Sequence, residues 1–233
     1  MNNIKIFADG ANGSDMMDLY GNPLIAGFTT NPSLCRKAGI IDYREFALCM
    51  LDIIRGKPIS FEVLSDDFAE MKRQALEISS WGPNVYVKIP ITNTKGESSS
   101  MLIKDLNWSG IKINVTAITT FKQVYETFKD LPYKRGVYIS IFAGRIADTG
   151  VSPSGIIMNA VDLVEKTEVE IIWASPREVY NIYQAERVGC HIITCTPELI
   201  AKYELLKGKD LTEYSRETVQ LFFNDAVKAG FKL

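Results

Sequence analysis

Histidine occurs once in these 233 residues, as His191, and cysteine four times, as Cys35, Cys49, Cys190 and Cys195, with no C-x-x-C pair among them. A structural or catalytic zinc centre draws on clustered Cys and His ligands. One histidine beside scattered thiols does not supply them, and no metal site is expected. Such thiols read as reduced and mostly buried, as in a cytoplasmic protein. A glycine-rich phosphate loop is also lacking, in both its G-x-G-x-x-G and Walker A forms, which weighs against an open doubly wound nucleotide-binding sheet. No apolar run approaches the roughly 20 residues that cross a bilayer, so no membrane partner is expected. The leading MNNIKIFADG has one lysine and no long apolar stretch, unlike a secretory leader. Charge of one sign is scarce too. The net charge is -2, and no basic stretch is interleaved with stacking aromatics, so no nucleic-acid surface is expected. Linkers rich in Gly, Ser or Pro are missing, and nothing marks a domain boundary.

What is present is an alternation. The share of hydrophobic residues, 46%, and of charged residues, 23%, is that of an ordinary globular protein. Short apolar runs at 4–8, 24–28, 59–63, 84–89, 111–115, 137–142, 169–174 and 191–195 read as strands. Between them lie helical patterns at 43–55, 66–81, 98–109, 120–131, 154–167, 176–188 and 197–207. Strands alternating with helices imply parallel pairing through crossover helices. Eight such units in one chain of this length predict a (β/α)8 TIM barrel, one domain over 1–233. A further amphipathic helix at 212–230 exceeds the eight repeats and is expected to cap the barrel or pack on a neighbouring subunit.

Within strand 84–89, Lys88 stands in an apolar run. Alternate strand side chains face opposite ways, so Val85, Val87 and Ile89 share one face while Tyr86 and Lys88 share the other. A lysine at a strand's end that reaches water or a carboxylate is the ordinary explanation. A desolvated lysine is also a nucleophile able to form a Schiff base with a carbonyl. The other strand ends bear on the choice. In a parallel barrel the active site forms where strands run into their helices. There the sequence places Asp9, Thr29, Thr30, Asn31, Glu62, Lys88, Asn114, Thr116, Ser140, Phe142, Arg145, Ser175 and Arg177. Each alone has an ordinary structural reading; Asn31, for example, precedes Pro32 and could simply make a turn. Together they suit carbonyl chemistry. Lys88 would be nucleophile and electron sink, Asp9 and Glu62 acid and base, and Arg145, Arg177 and Ser175 an anion clamp. Phe142 would exclude water. His191, at the start of the eighth strand, lies away from this rim.

The segments GFTTNPSL (27–34) and VYVKIPITNTKG (85–96) resemble the two signatures of the transaldolase family, Schiff-base aldolases of the (β/α)8 fold, in order and at the expected strands. Length and terminal helix resemble the small transaldolase and fructose-6-phosphate aldolase branch. The resemblance implies Lys88 as the lysine that attacks the donor ketone and Asp9 as the group that exchanges a proton with the C4 hydroxyl. It implies Glu62 and Thr116 as holders of a catalytic water. Asn31, Asn114 and Ser140, with the neighbouring Thr30, would face the dihydroxyacetone portion, and Arg145, Ser175 and Arg177 the phosphate. It further implies transfer of a dihydroxyacetone unit between sugar phosphates, no metal or cofactor, a cytoplasmic setting, and a homo-oligomer such as a pentamer or decamer. Glu62 and Phe142 stand where the aldolase members carry glutamine and tyrosine, which favours transfer over cleavage. Gly10 in FADGAN and Phe28 in GFTTNP depart from the usual pattern, and a sulfonated or otherwise modified ketose is an alternative donor.

Overall fold

The computed structural model describes residues 4–232. Eight strands, β1 (Lys5–Asp9), β2 (Ile25–Thr29), β3 (Ile59–Glu62), β4 (Val85–Pro90), β5 (Ile113–Ile118), β6 (Val137–Ile141), β7 (Glu170–Trp173) and β8 (Ile192–Cys195), pair in parallel and close into a barrel in chain order. Helix α1 (Gly13–Tyr20) follows β1, and α2 (Pro32–Lys37) and α3 (Tyr43–Ile53) follow β2. Then come α4 (Phe68–Ser79), α5 (Ser100–Trp108) and α6 (Phe121–Lys129), each after its strand. β6 is followed by both α7 (Ala143–Asp148) and α8 (Ser154–Val164). α9 (Tyr180–Arg187), α10 (Pro197–Leu206) and α11 (Leu211–Ala229) complete the order. The barrel forms one compact unit ending at Ile200; a second begins at Ala201 and contains α11. No helix among the described residues is long and apolar enough to cross a membrane.

The expected (β/α)8 architecture is therefore present, and local chemistry explains its elements. Helices start where a side chain accepts an otherwise orphaned N–H: Asn12 for α1, Asn31 for α2, Asp42 for α3 and Asp67 for α4, with a Thr120–Gln123 capping box for α6. On β4, Val85, Val87 and Ile89 are buried on the outer face, whereas Tyr86 and Lys88 point into the barrel. The lower interior is filled by Phe7, Tyr138, Ile172 and Ile192, with Tyr86 stacked on Tyr138 at 4.0 Å. Gly27 makes room for this plug. A Cβ there would lie 2.6 Å from the Phe7 ring.

Helices α1 and α2 stand where the sequence reading placed no helix, and three further features differ from it. The helix expected over 176–188 begins only at Tyr180. Ser175 turns the chain at φ 61, and Asn181 Oδ1 accepts the N–H groups of Arg177 and Glu178 at 2.7 and 3.1 Å, so Pro176 stays in a loop. Strand β5 runs on to Ile118 through an irregular step at Ala117, φ 62. Phe142 does not end β6 but precedes α7, a helix too short to show a periodic pattern.

Candidate active site

The strand register assembles the polar floor. Glu62 on β3 lies beside Lys88 on β4, and Lys88 beside Asn114 on β5. Neighbouring parallel strands in register point these three side chains the same way, inward. Lys88 is 6% exposed. Its Nζ lies 3.1 Å from Glu62 Oε2 and donates to the Thr30 carbonyl at 2.9 Å. A buried ammonium is tolerable only when paired and hydrogen-bonded, and these two contacts meet that demand. Glu62 is held by its own backbone, whose N–H donates to the Tyr43 hydroxyl at 2.8 Å. The Tyr43 ring packs edge-on against Phe61 and Trp81.

Asp9, at the end of β1, accepts a hydrogen bond from the Thr29 hydroxyl at 2.8 Å, across the register pair Asp9–Thr29. Burial pushes its carboxyl above the usual carboxylate range. Lys88 and the Thr29 hydroxyl draw it partly back, while Glu62 raises it further. A carboxyl so placed is suited to accepting and returning a proton. The Asn114 amide is oriented at both ends, donating to Ser60 Oγ at 3.1 Å and accepting from Ser140 Oγ at 2.7 Å. Thr116 is 2% exposed, and its hydroxyl has no partner among the described residues.

These side chains line a cleft of about 520 Å³. Asp9, Asn31, Glu62, Lys88, Asn114, Thr116, Ser140, Phe142, Arg145, Ser175 and Arg177 all face it. Thr30 does not. Its side chain is fully buried with its hydroxyl on Cys35 Sγ at 3.3 Å, and only its carbonyl serves the site. Asn31 does two jobs: its Oδ1 caps α2 through the Leu34 N–H at 3.0 Å, leaving the amide nitrogen to the cleft. On the opposite wall the Arg145 guanidinium lies 5.7 Å from the Phe142 ring centroid. Arg177 donates from Nε and Nη2 to Asp148 at 3.2 and 2.5 Å. The wall thus offers two guanidinium groups able to hold an anion.

Sequence reasoning placed Thr29 at the rim but missed its hold on Asp9. It missed Ser60, Tyr43 and Asp148, which each orient a site residue, and Ser33, Lys37 and Thr194, which add to the lining. Thr194 sits near the end of β8 and could have been found by the rule that exposed the others. Tyr43 and Asp148 lie on helices and carry no such signal. His191 lies at the other end of the barrel, its Nδ1 accepting the Ile171 N–H at 3.0 Å, with burial lowering its pKa. Among the described residues no group of His, Cys, Asp and Glu side chains could hold a metal ion.

Comparison with known proteins gives a consistent picture. The family model described as Transaldolase/Fructose-6-phosphate aldolase matches residues 6–233. A protein named "Probable transaldolase" from Thermoanaerobacter sp. (strain X514) is 34% identical over 233 residues, covering 99% of this chain and 100% of that one. A second of that name, from Pelotomaculum thermopropionicum, is 34% identical over 215 residues, covering 90% and 93%. Among solved structures, dihydrodipicolinate synthase from Rhodopseudomonas palustris matches with a TM-score of 0.57 at 12% identity, covering 97% of this chain and 80% of that one. At that identity the likeness concerns the fold alone.

Proposed function

The chain belongs to the transaldolase/fructose-6-phosphate aldolase family, and from that membership we propose that it is a transaldolase, passing a dihydroxyacetone unit from a ketose phosphate to an aldose phosphate through a Schiff base on Lys88. The observation that carries this reading is the buried Lys88 amine, fixed between Glu62 and the Thr30 carbonyl on the floor of an open cleft. The unprotonated amine adds to the C2 carbonyl of the donor, and loss of water leaves an iminium. Asp9 takes the proton of the C4 hydroxyl. The C3–C4 bond then breaks, its electron pair passes into the iminium to give an enamine, and an aldose phosphate departs. An acceptor aldehyde enters, the C–C bond re-forms with the proton returned by Asp9, and water releases the new ketose.

Glu62 and the Thr116 hydroxyl, which has no partner among the described residues, hold the water used at the nitrogen. Asn31, Asn114 and Ser140 orient the three-carbon unit; Arg145, Ser175 and Arg177 take the phosphate. Phe142 presents a ring with no hydroxyl, so it offers no hold for a water that would release free dihydroxyacetone. That supports transfer over aldolase-type cleavage. We place the enzyme in the cytoplasm, in keeping with its four unpaired cysteines, as a homo-oligomer.

Borohydride added with fructose 6-phosphate should fix a dihydroxyacetone adduct on the peptide that carries Lys88. Lys88→Met should show neither adduct nor turnover. A Lys88→Met variant that still transfers the unit would overturn the proposal. Release of free dihydroxyacetone as fast as transfer to an acceptor would replace it with the aldolase reading.

A further inference from the structure

We propose that Asp148 is a positioning residue of the anion clamp, holding the Arg177 guanidinium in place before the substrate's phosphate arrives; this rests on the transaldolase reading above. Asp148 stands three residues after Arg145 on α7, and residues so spaced share a helix face. One short helix thereby carries the first arm of the clamp, Arg145, and the carboxylate that grips the second, Arg177. The grip is two-pronged, Nε to Oδ1 at 3.2 Å and Nη2 to Oδ2 at 2.5 Å, the fork-to-fork geometry that fixes both position and plane of a guanidinium. At its other end Arg177 is fixed by its backbone N–H, which donates to Asn181 Oδ1.

Both side chains are half exposed, at 49% and 54%, so the pair adds little to folding stability. Its consequence falls on binding. A free arginine at this mouth would sample many rotamers and lose them when an anion docked. An arginine already held does not. Of its five N–H donors, two are committed to Asp148 and three remain for a ligand. Asp148 itself does not line the cleft. The ligand therefore meets the guanidinium and not the carboxylate, and pre-ordering outweighs repulsion.

Immobilising one such side chain weakens binding roughly two- to tenfold. Asp148→Ala should therefore raise KM for fructose 6-phosphate by that factor with kcat retained, and weaken inorganic phosphate, measured by calorimetry without turnover, by the same factor. Asp148→Asn, which keeps one acceptor, should fall between. In an Arg177→Ala background, Asp148→Ala should change neither quantity further, because its effect passes through Arg177. Three results would overturn the inference: unchanged or tighter phosphate binding in Asp148→Ala, a loss confined to kcat, or an undiminished effect in the Arg177→Ala background. Because phosphate binding needs no reaction, failure of the transaldolase reading would show separately, as absent turnover in the unsubstituted enzyme with phosphate binding intact.

Discussion

A lysine inside a barrel is a liability that chemistry can use. Lys88 sits among Glu62, Asp9 and the Thr30 carbonyl, so its positive form is compensated while its nitrogen still faces the cleft. Asp9 shows the opposite balance. Burial is the largest influence on it and raises its carboxyl despite Lys88 and Thr29. The sign for stability follows. A carboxyl raised in the folded state favours folding when protonated, below the ordinary value of about 3.9, and that contribution is lost as pH rises through the raised folded value. Asn in its place stays neutral throughout and can still accept from Thr29. Asp9→Asn should therefore melt at a higher temperature than the unsubstituted enzyme near neutral pH. The gap should close toward about pH 4, as the carboxyl protonates. Transfer should fall roughly 10²–10⁴-fold, as for loss of a general base. Melting curves across that range together with a transfer assay check both halves. A lower melting temperature at neutral pH would show that the Asp9 carboxylate is net stabilising.

At the scale of elements, the clamp depends on how closely α7 approaches the end of β7. A Cβ on Gly144 would lie 1.7 Å from the Ser175 carbonyl oxygen. That neighbour is backbone, so no side chain can swing away. Gly144→Ala must push α7 off β7, with a loss on the order of 3 kcal/mol. For a chain of this size the melting temperature should drop by roughly 6–12 °C. The affinity for phosphate should fall too, since Arg145 and Asp148 ride on the displaced helix; calorimetry and a thermal melt test it. None of this was visible in the sequence, where α7 is six residues without a repeating pattern. The strands were visible, because strands covered on both faces read as short continuous apolar runs whatever the loops do, and with them came Asp9, Glu62, Lys88, Asn114 and Ser140 at strand ends. What stayed hidden was lateral. Thr29 meets Asp9, and Ser60 meets Asn114, only once the register between strands is set. Tyr43 and Asp148 reach the site from helices whose direction no local pattern fixes. Thr30 misled for a related reason: its place just past the second strand put it at the rim, but its hydroxyl turned to Cys35 and its carbonyl to Lys88.

For the whole molecule the argument turns on α11. It is 19 residues long and has no buried residue. Val219, Phe222, Phe223 and Val227 fall at i, i+3, i+4 and i+8, a single apolar stripe, with Phe222 at 66% and Phe223 at 62% exposed. Helices draw most of their stability from packing such a stripe, and an exposed patch of this kind marks an interaction site. A second copy of the chain fits the homo-oligomer proposed above. Each phenylalanine buried contributes about 1.5–3 kcal/mol, so replacing both with glutamate should weaken each contact by roughly 10²–10⁴-fold. Light scattering on a sizing column should show the unsubstituted enzyme as an oligomer and Phe222→Glu/Phe223→Glu as a smaller species. The cleft is lined by Asp9 through Thr194 of one chain, so the smaller species should still form the borohydride-trapped adduct on Lys88. A monomeric unsubstituted enzyme would refute the assembly. An assembly that dissociates and loses the adduct would mean that the neighbouring copy completes the site.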